Sequence, residues 1–396
     1  MAQHTALLAW SDTQGNILTG GGQLQRRSAL DRDFEEADLP HYLLKTRKTR
    51  QTFVQWIEQN HRDFAIVGSW SRPIFAGGWK ESTDLDTEAF NLQTPSLFID
   101  MRIPIAPEVR RALRTRGSLS NCTDLELRLL ARQHTFSGYS LPEVDATKPL
   151  HFIRHHIIDW NYHPSFPRPR PNKWWIQTDK ATDASSFKEF SFVRDENNIP
   201  VYFERWDRRP GDGGGKKYLA LRKRTGCPAE AKRLGLPQVQ DAMLIVVGNH
   251  FALAVDRPQP APTFLGAPGP GGPALVDHAL LVGDRAAAEQ YLNLEGSFGQ
   301  LLSGDSDSVE MPDWKIVRST HPWREGARLF ESSLGVSGGA GYSDTVRLSW
   351  KGRGTQRELS SVLWRGFEWD ALECNYTERE LHAMFPVDLH TPVSRL

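Results

Sequence analysis

His155 and Asp159, in the segment HFIRHHIIDWNYH (His151 to His163), belong to the stretch of this chain richest in side chains that could do acid and base work. If the segment is an extended strand, alternate side chains share a face. His151, Ile153, His155, Ile157 and Asp159 then line one side, and Phe152, Arg154, His156, Ile158, Trp160 and Tyr162 the other. On one reading His151, His155 and Asp159 face a cavity, where the carboxylate orients an imidazole for proton transfer near neutral pH. On the other, the aromatic face is the core and the His/Asp face meets water, the ordinary division of an antiparallel strand. A metal held by His151 and His155 would require a bend, because residues four apart on a strand lie about 13 Å apart. No metal site is expected.

Further ionisable groups interrupt apolar strands. In SLFIDMRIPI, Asp100 and Arg102 share a face with Phe98, opposite the apolar Leu97, Ile99, Met101 and Ile103. They are a buried ion pair if both faces are covered and simply exposed if one face is open. In VYFERWDR, Glu204 stands between Tyr202 and Trp206 on one face, where an apolar surround would raise its carboxyl pKa. A cross-strand arginine partner at the surface is the competing reading. His250 in GNHFALAVDR faces the same side as Ala252 and Ala254 and reads first as a hydrogen-bonded core histidine. Thirteen tryptophans raise the same question for the aromatics. Trp160, Tyr162, Trp175, Tyr202 and Trp206 either stack a flat organic ligand or plug the core. The cluster His321, Trp323, Arg324 and Glu325 in STHPWREGARLF suits a loop that closes a barrel end or docks one domain on the other, with a second polar site as the alternative.

The elements that would position these groups are short. Between Asp63 and Asp256 run segments rich in aromatic and β-branched residues, separated by Gly, Pro and charged turns, as expected of a closed or nearly closed antiparallel barrel. In KKYLALRKR, Lys217, Leu219, Leu221 and Lys223 alternate with Tyr218, Ala220, Arg222 and Arg224, which reads as a solvated strand face. The stretch from Pro107 to Gln133 carries a Pro start and Asp124 near a second start, and predicts two short helices inserted between strands. The Pro/Gly-rich stretch over 258–274 predicts a linker. The expected organisation is an N-terminal extension with a helix over 1–62, a first lipocalin-like barrel over 63–257, the linker, and a smaller β-barrel domain over 275–396. That last domain is expected to end in a helix at Thr377 to Phe385.

Composition excludes several classes. A chain of 396 residues is long enough for two cores. Lys plus Arg (48) equals Asp plus Glu (48), so no net field gathers nucleic acid or an anionic membrane. Cys122, Cys227 and Cys374 are too few and too dispersed for a disulfide framework. No apolar run approaches the length of a membrane span, and the first residues lack the basic start of a signal peptide. These features lead to the expectation of a reduced, cytoplasmic protein. No phosphate-cradle, zinc-protease or hydrolase motif occurs, and the glycines in RPGDGGGKK read as a hairpin turn. No cofactor is expected.

The order of VYFERWDR, YLALRKR and MLIVVGNHFALAVDR, followed by GSFGQLL and DWKIVRST, resembles the Hri family of yeast kinase-interacting proteins over about Trp160 to Thr320. That resemblance implies two lipocalin-like barrels. The chain differs in its N-terminal extension, helical insertion and longer second half. DTQGNILTGG, beginning at Asp12, resembles the opening of dye-decolorising peroxidases, but their GxxDG motif is not found. The expected fold is mainly β, with two lipocalin-like antiparallel barrels. Two functions are compatible with it. One is a cofactor-independent isomerase, cyclase, hydratase or lyase acting on a small apolar or aromatic molecule. Its acid/base groups would be His151, His155, Asp159, Glu204, Asp100 and Arg102, with the aromatics and His250 as lining. The other is a ligand carrier or adaptor with a protein partner, or a homodimer. Whether the His/Asp face and Glu204 converge on one cavity separates the two.

Overall fold

The computed structural model describes residues 66–77, 80–82, 87–104, 107–143, 151–163, 172–177, 185–191, 195–198, 200–223, 241–258, 261–264, 266, 269, 271–302, 313–330, 346–352, 357–364 and 367–385. The expected N-terminal extension, the DTQGN motif and Cys227 lie outside these residues, as do the side chains of His151 and Trp175.

The protein is mainly β, with two antiparallel sheets in keeping with a two-barrel fold. The first sheet runs β1 (Gly68–Gly77), β2 (Lys80–Ser82), β3 (Thr87–Gln93), β4 (Leu97–Pro104), β5 (His134–Glu143), β6 (His151–Asp159), β7 (Asn172–Gln177), β8 (Ser186–Ser191) and β9 (Tyr202–Arg208). Its strands pair in sequence order from β3 to β9, β1 pairs with β3, and β9 returns to β1, from Trp70 opposite Arg208 to Gly77 opposite Tyr202. Closure removes the free edges, and β2 is a short hairpin arm on β1.

The second sheet contains β10 (Tyr218–Lys223), β11 (Ala242–Val247), β12 (His250–Val255), β13 (Glu295–Leu302), β14 (Asp313–Ser319), β15 (Arg347–Lys351), β16 (Glu358–Trp364) and β17 (Phe367–Cys374). Its order is β14-β13-β12-β11-β10-β17-β16-β15. Strands β10 to β12 therefore belong to the second sheet, although the sequence pattern assigns residues up to 257 to the first barrel. The switch falls at the Gly-rich turn after β9, and the reason is non-local: β10 finds its second neighbour in β17, at the far end of the chain.

That placement also corrects the reading of YLALRKR. β10 is central, so Tyr218 and Ala220 pack toward the first barrel while Leu219 and Leu221 join the second sheet's own core. Neither face of residues 218–221 is solvated.

Two helices fill the insertion between β4 and β5: α1 (Pro107–Arg114) and α2 (Asp124–Leu130). Thr123 caps α2 by accepting from the Glu126 amide while the Glu126 side chain accepts from the Thr123 amide, a reciprocal capping box. The Pro/Gly stretch leads into a pair of helices the sequence reading does not anticipate, α3 (Gly272–Leu281) and α4 (Arg285–Leu292). Their signal is local and was available: Pro273 in the first turn of α3, and Asp284 accepting from the Ala287 amide at the start of α4. A C-terminal helix, α5 (Glu378–Met384), starts at a second capping box on Thr377.

Three cores result. Phe98, Asp100 and Arg102 of β4 point into the barrel. Leu97, Ile99, Met101 and Ile103 point outward and pack with Met243, Ile245 and Val247 of the second sheet and with the helices. Inside the barrel Trp70, Phe152, Phe187 and Trp206 form an aromatic plug. The outer face of the second sheet is covered by Trp314, Trp364, Trp369, Leu381 and Met384. The loop STHPWREGARLF docks the second sheet on the insertion: Arg110 and Arg114 of α1 bind Glu325, and Gln133 donates to the Thr320 carbonyl at 3.0 Å.

Candidate functional site

The first barrel carries its charge inside. Arg72 on β1, Asp100 and Arg102 on β4, Arg154 on β6, Glu189 on β8 and Glu204 on β9 are all buried. Alternation places each of them on the inner face of its strand. Arg102 bridges Asp100 at 2.9 Å and Glu204 at 3.1 Å, and Arg72 reaches Glu204 at 2.9 Å. Arg154 lies 3.5 Å from Asp100 and 3.9 Å from Glu189. Three guanidinium groups thus face three carboxylates. Such a network must hold itself together, since an unpaired buried charge is costly.

Two carboxylates of the network respond oppositely. Burial alone would raise the Asp100 carboxyl, but Arg102, then Arg154 and Arg72, outweigh it and hold its pKa below the ordinary value. Burial raises Glu189 to about 7, because Arg154 only partly offsets it and Glu204 adds repulsion. Glu189 and Glu204 are direct cross-strand partners, which places the two carboxylates on one face of neighbouring strands. Tyr202, half-buried and two residues before Glu204, has its hydroxyl pKa raised by burial and then by the same glutamates.

The sequence-expected residues separate into distinct places. Asp100, Arg102, Glu204, Tyr202 and Trp206 come together inside the barrel. His155 does not join them: Phe152, Arg154 and His156 are the inward, buried residues of β6, and His155 is half-buried on the other face. Burial lowers its pKa to about 4. Asp159 is buried, but it takes His156 Nδ1 at 2.9 Å, not His155, and accepts from the Asn161 amide. A bulge explains the crossover of faces: the β5–β6 register shifts between Ser137 and Gly138. At Gly138 a Cβ would lie 1.9 Å from the His155 carbonyl oxygen, so only glycine fits there. The orienting carboxylate expected for His155 is therefore engaged elsewhere.

Trp160 and Tyr162 lie outside the barrel. Trp160 is fully buried between the sheets, its indole N–H donating to the Ala131 carbonyl at 3.2 Å. His250 belongs to the second sheet, its ring tilted against Phe298 with centroids 5.5 Å apart, and burial lowers its pKa to about 4. Glu189, Arg72 and Arg154 are network members that sequence reasoning did not single out. The signal for Glu189 was present in SFKEFS, where it stands between Phe187 and Ser191 on one face, much as Glu204 stands between two aromatics. Among the described residues no cluster of three or more His, Cys, Asp or Glu side chains is placed to hold a metal.

Among the described residues an open cleft lies outside the barrel. It encloses about 800 Å³ and sits where the β9–β10 turn and the β11–β12 turn meet Tyr376, ahead of α5, and Met384 at its end. Its floor is the turn RRPGDGGGK, held by buried Asp212, which accepts from Arg208 Nη1 at 2.5 Å, the Gly214 amide at 2.8 Å and the Ser69 amide at 3.1 Å. Gly215 has φ +69°, and a Cβ there would sit 2.1 Å from the Val67 carbonyl oxygen. Gly215→Ala is expected to cost about 2–4 kcal/mol, the left-handed strain plus a backbone clash. Urea unfolding checks it, and a loss below about 1 kcal/mol would show the turn to be pliable.

Pro210, Leu301, Tyr376 and Met384 make the cleft wall mostly apolar. Arg208 pairs with Asp212, and Lys217 with Glu380 at 2.9 Å. Arg209 has no carboxylate within 4.0 Å among the described residues. It donates to the Trp70 and Ala89 carbonyls and lies over the Phe90 ring at 4.4 Å. Burial lowers its pKa to about 10, which leaves it charged at neutral pH. The Arg209 guanidinium thus lies among Phe90, Phe298 and the field of Glu88, and the cation at the cleft rim is Lys217.

Fold and site together define a mainly β protein of two packed antiparallel sheets, with a sealed charge network in one and an open cleft at their junction. Comparison with family models and with curated proteins finds no match. Among solved structures, an uncharacterized protein from Saccharomyces cerevisiae, YLR301w, is similar at 12% identity with a TM-score of 0.39, covering 78% of this chain and 98% of that one. A likeness that distant carries no functional argument. No helix among the described residues is long and apolar enough to cross a membrane.

Proposed function

We propose that this protein acts by binding, and that its cleft takes an extended, largely apolar peptide segment carrying an acidic residue. The observation that supports this reading is the separation of the open cleft from the buried charge network of the first barrel. The inward-facing carboxylates of the first barrel are engaged with arginines behind an aromatic plug. The His155/Asp159 arrangement that acid/base chemistry would need is not assembled. The cleft instead offers apolar walls, a floor pinned by Asp212 and the Lys217 amino group at its rim, which suits a chain segment with a negative side chain. A preformed floor lowers the ordering cost of binding.

A phage-displayed library of random twelve-residue peptides tests the proposal, with the Lys217→Glu/Asn249→Trp double variant as counter-selection. Both changes lie at the cleft rim and outside the cores. Selected peptides are expected to combine apolar and acidic residues and to lose at least tenfold in affinity on the double variant, about 1.4 kcal/mol. Peptides that bind both proteins equally would overturn the cleft as the site.

The second reading, a cofactor-independent acid/base enzyme, is favoured by one observation: Glu189, with a pKa near 7, lies beside the half-buried Tyr202. On that reading a screen of small apolar and aromatic molecules finds one that the wild type turns over and Glu189→Gln does not, while peptide binding stays intact.

A further inference from the structure

Glu189 Oε2, Trp206 Nε1 and Asn91 Oδ1 are among the polar atoms inside the first barrel with no hydrogen-bond partner among the described residues. Their side chains are buried to within 2% of complete. They belong to one continuous network. The Asn91 amide nitrogen donates to Asp100 at 3.4 Å, Asp100 and Glu204 share Arg102, and Glu204 stands opposite Glu189. Trp206 follows Glu204 on the same face.

Positive charge is distributed unevenly over this network. Glu204 holds two guanidinium groups at 2.9 and 3.1 Å, and Asp100 holds two at 2.9 and 3.5 Å. Glu189 reaches only Arg154, at 3.9 Å, and its Oε2 accepts no hydrogen bond among the described residues. Two carboxylates on neighbouring strands, away from water, cannot both carry full charge cheaply, and the one with less compensation gives way. We propose that Glu189 is a proton-binding site in the first barrel. It takes one proton from solvent at neutral pH to become a carboxylic acid whose O–H donates within the barrel.

The groups acting on it are Arg154 from β6, Glu204 from β9, and Arg102 and Asp100 from β4, and Tyr202 of β9 responds to it. Arg72 from β1 and Asn91 from β3 belong to the same inward-facing set through Glu204 and Asp100. Ile176 of β7, the partner of Glu189 on the other side, brings no charge. Protonation takes the three-against-three network from neutral to one net positive charge. The folded-state value lies above the ordinary 4.5. Its contribution to stability is therefore fully present below that pH and is lost as pH rises through about 7. This proton site is independent of the peptide cleft and requires no turnover.

Infrared difference spectroscopy on the whole protein, between about pH 6 and about pH 8.5, tests it. The expected result is a protonated-carboxyl stretch at the lower pH that vanishes at the higher one and is missing from Glu189→Gln. Its midpoint should move down in Glu204→Gln, which removes the opposing charge; a merely structural Glu204 would not move it. No such band in the wild type, or a band kept by Glu189→Gln, overturns the proposal. Should Glu189→Gln fail to fold, carboxyl-selective carbon NMR of the wild type decides. One glutamate titrating near neutrality supports the site, and all glutamates titrating below about pH 5.5 overturn it.

Discussion

An Arg102→Met variant is expected to unfold with about 3–5 kcal/mol less free energy than the wild type, the cost of removing one partner from a buried ion network. Arg102 is the only residue described that touches both Asp100 and Glu204, at 2.9 and 3.1 Å. Its loss strands Asp100, whose remaining guanidinium stands 3.5 Å away. Methionine preserves most of the volume, so the loss measures charge and not cavity. The pH dependence identifies the cause. In the wild type the Asp100 carboxyl is held below its ordinary pKa of 3.8, chiefly because Arg102 overcomes the effect of burial. The associated stability is present above that value and lost as pH falls through the lower folded value. Without Arg102, burial dominates and the variant is relieved when the carboxyl protonates. The gap between variant and wild type is therefore expected to narrow from pH 7 toward about pH 3. Urea unfolding at both pH values, with an unchanged m-value, checks this. A gap independent of pH would assign the loss to packing.

Arg257→Met is expected to cost a comparable amount, about 3–5 kcal/mol, through a different mechanism: it strands carbonyls, where Arg102 strands carboxylates. Arg257 is buried where the second sheet's β12 runs toward the helices. It donates to the Tyr291 carbonyl at 2.5 Å, Asp159 at 3.1 Å, Tyr162 at 3.4 Å and Trp160, and it lies over the Tyr291 ring at 4.0 Å. One guanidinium thus ties the end of β6 to α4. The Trp160 carbonyl keeps the Tyr291 hydroxyl at 2.6 Å and the Asp159 carbonyl keeps the Tyr162 amide at 3.2 Å. The Tyr291 and Tyr162 carbonyls are therefore the ones left without a donor among the described residues, at about 1–3 kcal/mol each. Hydrogen exchange is expected to accelerate first in α4 and at the end of β6. A loss under about 1 kcal/mol, or exchange that accelerates only far from both, would show that water replaces the side chain without penalty.

The sequence by itself determined what short-range chemistry controls. Alternation in SLFIDMRIPI and VYFERWDR marks strands and shows which side chains share a face, so Asp100 stands with Arg102, and Glu204 with Tyr202 and Trp206. Capping residues locate the helices of the insertion and of the C-terminus, as Thr123 and Thr377 illustrate. The same cues at Pro273 and Asp284 marked α3 and α4, but the dense Pro and Gly before them pointed to a linker. Which face points inward is decided only in the tertiary structure. On β6 the choice went to Phe152, Arg154 and His156, because barrel closure needs the aromatic plug inside, and the Gly138 bulge then hands Asp159 to His156. Membership of β10 depends on β17, and no local feature of YLALRKR reveals a partner that distant. The charge network is the clearest case, because Arg72 and Arg102 meet Glu204 across 132 and 102 residues of chain. Periodicity is written in neighbouring residues, whereas closure and charge pairing depend on strands that meet only when the whole sheet forms.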